Sequence, residues 1–439
     1  MSTRARRISA VVLLSVASFI VLSAVLSGMY ALPADQVYRH AARYVLTPVF
    51  RWWYQDDLDY VKNATSKYHV AAEDIPSGKP MDSWQRLQNQ APMLSVRNLH
   101  ELADPERDVP FVYERSDEEY LRRFREKYHL DEIVKDAPDQ YSAMLKVGEW
   151  LGTRFDHGAD KLVGTSQVCD PMAIVEAGQK GAKYWCEIAA RTMVHTAASM
   201  AWPARLISAS RDGYTWEHAL AELWSDQFGK WFVIDVDYNV VYERNGVPLS
   251  AFELSRDGPA LQKAGLLRVR QIAPPKHSLP YEDMVPYYRY VHVDLRNDWC
   301  SRTLRRGSPA GGDLATWWTA RPDMPRLLTN RIRVDDEQSF DWAVNDVSIY
   351  GVSATPAADG VKVNVALAAY SPEFQHFELR LDGQDWQRIA GRQQTLALAP
   401  GPHQLEARVV TKSGYGGPAS QVELAVADHT TAATTPGAR

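Results

Sequence analysis

A thiol opening a helix, an imidazole on a strand and a carboxylate on the next strand are the parts of a nucleophilic acyl-transfer site. Residues 181–237 contain all three in that order: GAKYWCEIAARTMVHTAASMAWPARLISASRDGYTWEHALAELWSDQFGKWFVIDVD. Cys186 falls in the first turn of a helix predicted from about Tyr184 to Ala201, ending before Pro203. Unpaired N–H groups and the helix dipole favour an anion there, and the thiolate is the nucleophilic form of cysteine. Such a nucleophile also needs a base, and the base needs an orienting group.

The following hairpin can supply both. Trp216 to Trp224 is predicted as a strand with His218, Leu220, Glu222 and Trp224 on one face. Trp231 to Val236 is the next, and Trp231, Val233, Asp235 and Asp237 share a face. Reflection about the turn near Asp226–Gly229 brings His218 opposite Asp235 or Asp237. Directly facing residues lie roughly 4.5–5.5 Å apart at Cβ. The carboxylate would fix the tautomer and orientation of the imidazole. Register alone leaves the two aspartates as alternatives.

At these residues the chain resembles the transglutaminase-like superfamily of Cys-His-Asp, papain-like thiol enzymes. The likeness runs through Tyr184-Trp185-Cys186, Pro203-Ala204-Arg205, His218 with Glu222 and Trp224, and Trp231 followed four residues later by Asp235. It covers roughly residues 140–255. The resemblance implies Cys186 as nucleophile, His218 as general base and acid, and Asp235 as orienting acid, because the family aspartate typically sits four residues after a tryptophan. Val236 departs from the family pattern, which often has proline there, and a shift at this corner would favour Asp237. The implied reaction is attack on an amide or ester carbonyl, with a thioester resolved by water or an amine. Peptidase, amidase and transamidase outcomes share that chemistry, and no cofactor is implied. Two other readings stand beside it: a catalytically silent scaffold in cell-envelope or polysaccharide assembly, and an amidase acting on glycan–asparagine bonds.

An acyl-transfer site needs donors for its oxyanion. The backbone N–H of Cys186 is one candidate and Gln179 another, while Trp185 could wall the substrate groove or simply pack. Asp235-Val236-Asp237-Tyr238-Asn239 begins like a calcium loop, but Val240 and Gly246 stand where that loop needs Gly and Glu. His157 and His195 stand alone in the sequence and no metal motif is present, so no metal is expected. Cys169 and Cys300 could pair or remain buried thiols, or Cys169 could regulate Cys186 by bridging it.

The elements that must hold these residues are readable from pattern. The 439 residues allow two or three domains, and three cysteines exclude a disulfide framework. A net charge of −5 gives no sign of nucleic-acid binding, and 14 Trp argue against extensive disorder. Ile8 to Leu26 is a near-continuous apolar run behind Arg4, Arg6 and Arg7. A retained membrane anchor is expected over residues 1–35, with a cleaved signal as rival, and either exports the chain. Residues 36–105 read as a juxtamembrane segment of short helices and loops. Trp52, Trp53 and Tyr54 suit a membrane interface or a helix packed on its own domain, and Asn63-Ala64-Thr65 fits a glycosylation sequon.

Helices then strands over residues 106–295 predict an α+β domain of transglutaminase-like type, followed by a linker over 296–339. Val361-Val363-Val365-Leu367, Phe377-Leu379-Leu381, Leu405-Ala407-Val409 and Val422-Leu424-Val426 alternate with polar or small residues. Punctuated by turns, they predict an immunoglobulin- or fibronectin-like β-sandwich over 340–428, with a disordered tail over 429–439. The expected partners are a protein or peptide-like substrate, a cell-envelope polymer, and the membrane.

Overall fold

A computed structural model describes residues 52–100, 111–160, 170–211, 217–277, 281–302, 315–318, 332–334 and 337–428, together with Leu14 and Ser18. Three helices lead into a sheet. They are α1 (Gln140–Gly152), α2 (Pro171–Gln179) and α3 (Cys186–Ser199). Asp139 caps α1 by accepting the Ser142 N–H at 2.7 Å. Asp170 does the same for α2 through the Met172 and Ala173 N–H groups, with Pro171 in the first turn, where no donor is needed. The third helix begins at Cys186 rather than Tyr184, because Lys183–Tyr184 is drawn into a short parallel pair with Asp156–His157.

Four antiparallel strands follow in meander order: β1 (Ala204–Ser210), β2 (His218–Ser225), β3 (Lys230–Asp235) and β4 (Val240–Arg244). Helix α4 (Ala251–Lys263), β5 (Arg268–Gln271) and β6 (Tyr290–Asp294) complete the unit. The sheet order is β5-β4-β3-β2-β1-β6, continued by residues 315–318 and 332–334. Ala221, Leu223, Phe232 and Ile234 face helices α1 to α3, against Met144, Val147 and Met193. Leu220, Trp224, Trp231 and Val233 face the other way, against Phe252, Leu254 and Trp342. With both faces covered, each buried aliphatic or aromatic side chain contributes roughly 1.5–3 kcal/mol. A one-residue slip would exchange the two faces, so the register that places His218 is strongly fixed.

Beneath the hairpin, Arg205 is fully buried between the Trp231 and Trp342 rings, at 4.3 and 4.5 Å. Its guanidinium binds Glu222 at 2.7 Å, Asp341 at 2.6 Å and the Phe340 carbonyl at 2.6 Å. Glu222 also accepts the Ala251 N–H at the start of α4. One buried charge cluster therefore joins β1, β2, α4 and the segment leading to the second unit.

That unit consists of two antiparallel sheets. One comprises residues 347–357, 360–370 and 393–398, with 69–71 at its edge; the other comprises 387–388, 374–381, 401–411 and 420–426, with 94–100 at its edge. The alternating valines and leucines of these strands are buried together with Val70, Trp84, Leu87 and Leu94.

The expected architecture, a transglutaminase-like core with an immunoglobulin-like sandwich behind it and a membrane helix in front, needs correction. The chain is a mixed helix-and-sheet protein, about 32% helical and 34% strand, with neither class dominant. Among the described residues no helix is long and apolar enough to cross a membrane. The longest α-helix among the described residues, α3, has 14 residues and spans only about 21 Å, short of the ~30 Å of a bilayer core. The expected anchor over residues 1–35 lies outside the described residues except at Leu14 and Ser18, and Cys169 and the tail lie outside them as well. Nor do the last hundred residues form the second unit alone. The helix Pro80–Gln90 packs Trp84 against it, and the Trp84 indole N–H donates to the Ile349 carbonyl at 2.8 Å.

Candidate active site

Trp185 is the extended residue before α3 and makes no side-chain cap. Its carbonyl accepts the N–H groups of Ile188 and Ala189. The N–H of Cys186, at the first helical position, has no partner within the helix by construction and is available to an incoming oxyanion. Cys186 is half-buried, against Ala190, Leu206 and Ala219. Helix α3 lies across β2, whose first residue is His218, and the Cys186 and His218 side chains hydrogen-bond.

Nε2 of His218 lies 2.7 Å from Oδ2 of Asp235, both side chains being buried. That bond assigns the ring proton to Nε2, leaving Nδ1 for the sulfur. The other oxygen of Asp235 accepts the N–H groups of Asp237 and Tyr238, each at 3.0 Å. The carboxylate is therefore held by the turn it begins and can move little relative to the ring. Burial disfavours a charged His218, but the Asp235 charge, its hydrogen bond and Cys186 outweigh this and hold the ring well above its usual pKa. The arrangement favours an imidazolium beside the sulfur.

The structure places the two alternative aspartates at different imidazoles. The β2–β3 ladder ends at Ala221↔Ile234; continued, it would set His218 opposite Asp237. The chain instead leaves β2 there: Asp235 pairs with Val240 of β4, and Asn239 takes a left-handed φ of 57° in the connecting turn. Asp235 reaches His218 on the diagonal, a spacing open to longer side chains. Asp237 is carried round the corner, where Oδ1 meets Nδ1 of His157 at 2.9 Å and Oδ2 meets Nε2 of His277 at 3.0 Å. Both carboxylates of the calcium-like pentapeptide are thus directed to imidazoles.

Gln179 is the exposed last residue of α2, and Trp185 is half-buried among residues of the helical face. A second thiol–imidazole contact joins Cys300 Sγ and His195 Nε2 at 3.8 Å. Burial and the Arg191 charge push His195 down to about 3, so this ring is a neutral one and a poor partner for a thiolate.

Sequence reasoning passed over His277 and Trp299 and gave Tyr238 no role at the imidazoles. Tyr238 lies edge-on to His218 at 5.4 Å and stacks on His277 at 3.9 Å, while Trp299 packs near Cys186 with Arg191 over its ring at 4.2 Å. No local pattern marks them, because His157 and His277 stand 80 residues before and 40 after Asp237. Among the described residues, His157, Asp237 and His277 form a group that could hold a metal ion. A scan against family models finds none that matches this chain, and a search of curated proteins finds no similar sequence.

Proposed function

We propose that the chain is a cysteine-dependent acyl-transfer enzyme acting on amide bonds, in the manner of the transglutaminase-like thiol enzymes its central residues resemble. The observation that carries this reading is the bond between His218 Nε2 and Asp235 Oδ2, on a ring that also hydrogen-bonds the Cys186 side chain.

The sulfur of Cys186 attacks the carbonyl carbon, and the electron pair of the C=O bond moves to an oxyanion near the Cys186 N–H. Collapse breaks the C–N bond, and the proton on His218 Nδ1 passes to the leaving amine. A thioester remains. His218 then accepts a proton from water or from an incoming amine as it attacks the thioester, and the thiolate leaves. Asp235 keeps the ring oriented and balances its charge throughout without itself taking the proton.

Peptidase, amidase and transamidase outcomes differ only in what resolves the thioester. The apolar segment behind Arg4, Arg6 and Arg7 suits an exported protein, so a substrate outside the cytoplasm, such as an envelope polymer with amide links, fits this reading. The deciding experiment labels wild type and Cys186→Ala with a thiol-reactive amide probe and maps the adduct by mass spectrometry. Labelling confined to Cys186 and absent from the variant is expected; equal labelling removes Cys186 from the mechanism.

A further inference from the structure

We propose that His157, Asp237 and His277 form a site for a divalent transition-metal ion of the zinc class, on the far side of the corner that carries Asp235. The three residues come from separate parts of the chain. His157 lies in the short strand paired with Lys183–Tyr184, Asp237 lies in the β3–β4 turn, and His277 follows β5. Their ligand atoms all lie within 4.8 Å of one another.

Two imidazole nitrogens and a carboxylate oxygen make a donor set that suits zinc, nickel, copper or iron better than the oxygen-seeking magnesium and calcium. Zinc binds such ligands at about 2.0–2.2 Å, which puts neighbouring ligand atoms about 3.4 Å apart in a tetrahedron. Two of the contacts, 2.9 and 3.0 Å, are already slightly inside that spacing. A turn of the half-exposed His157 ring would bring the remaining pair into range. Each imidazole would bind through a nitrogen that carries no proton, as a neutral ligand.

Burial separates the roles of the three. The Asp237 side chain is 3% exposed and that of His277 14%, so both are set in place; the His157 side chain is 40% exposed, leaving solvent access for an ion and its waters. His277 is further fixed by the parallel stack on Tyr238. A neighbouring cation, Lys276, turns its Nζ to the Val236 carbonyl at 2.8 Å and lies over the Phe155 ring, leaving Asp237 to the histidines. The site does not depend on the acyl-transfer reading. It adjoins it, since the Asp237 N–H donates to Asp235 and Tyr238 lies between His277 and His218.

The test uses the full chain, stripped with a chelator and then loaded with Zn²⁺ or Co²⁺ against a competing chromophoric chelator. Wild type and Cys186→Ala should each retain one ion per chain, and the Co²⁺ form should show visible d–d bands without a thiolate charge-transfer band. His157→Ala, at a half-exposed position that should not disturb folding, and His277→Ala should each weaken retention by about 100-fold or more. They should also abolish the rise in melting temperature that added Zn²⁺ gives wild type. Retention of no ion by wild type overturns the proposal. So does retention lost in Cys186→Ala but kept in His157→Ala, which would put the ion on the thiol and His218. The probe-labelling experiment on Cys186 is decided separately, so failure of either idea leaves the other readable.

Discussion

Replacing Asp235 by Asn tests whether the carboxylate controls the imidazole and, through it, the thiol. The shape is kept. The Asn carbonyl can still accept the Asp237 and Tyr238 N–H groups, which turns its NH₂ toward His218. That ring must then accept at Nε2 and carry its proton on Nδ1, the wrong arrangement for a neutral base facing the sulfur. The charge is lost as well. With charge centres about 4 Å apart and an effective dielectric of about 20, the attraction amounts to about 4 kcal/mol, or roughly 10³ in the population of the ionised pair. The equivalent change in a serine triad costs about 10⁴ in kcat.

The assay needs no substrate: it compares the iodoacetamide rate constants of Cys186 in the two proteins near neutral pH, with Cys300 as an internal reference. A fall of about 10²–10³ at Cys186, with Cys300 unchanged and the secondary structure retained by circular dichroism, is expected. The raised pKa of His218 gives stability present below its unfolded value of about 6.5 and lost as pH rises through the folded value, and this contribution should vanish in the variant. Alkylation of Cys186 within about twofold of wild type would refute the coupling, and the proposed chemistry with it.

Arg205→Ala would leave Glu222 and Asp341 buried without their shared cation, so urea denaturation should register a loss of about 3–5 kcal/mol; a loss below about 1 would mean the cluster is not structural. Trp84→Ala should cost about 3–5 kcal/mol if the helix Pro80–Gln90 is integral to the second unit, and almost nothing if that helix is a loose attachment. Burial pushes Asp226 up to about 6, above its unfolded value of about 3.9, against the hydrogen bonds donated by Asn345, Gln140 and Trp224. Stability should therefore fall as pH rises from about 4 to 6, by about 3 kcal/mol at most, and Asp226→Asn should flatten that limb; parallel Tm profiles for the two proteins would contradict this.

Period, caps and turn residues made much of the local structure legible in the sequence. Asp139 and Pro171 mark helix starts, Pro203 follows a helix end, and the alternation around Asp226–Gly229 specifies a hairpin with His218 and the aspartates on one face. These signals are local, since each depends on residues a few positions apart. Three matters were decided only by the assembled chain. The choice between Asp235 and Asp237 depends on where the β2–β3 ladder stops and how the left-handed Asn239 turns the backbone, which a reflected register does not contain. The gathering of His157 and His277 around Asp237 depends on a two-residue parallel pairing and on the path after β5. The recruitment of residues 69–71 and 94–100 to the edges of the last two sheets depends on strand edges presented by residues hundreds of positions away. Backbone hydrogen bonds at a strand edge accept almost any partner sequence, and a side chain turned round a corner obeys the fold of its neighbours. Composition and spacing therefore supply the reactive groups, whereas long-range pairing selects which of them meet.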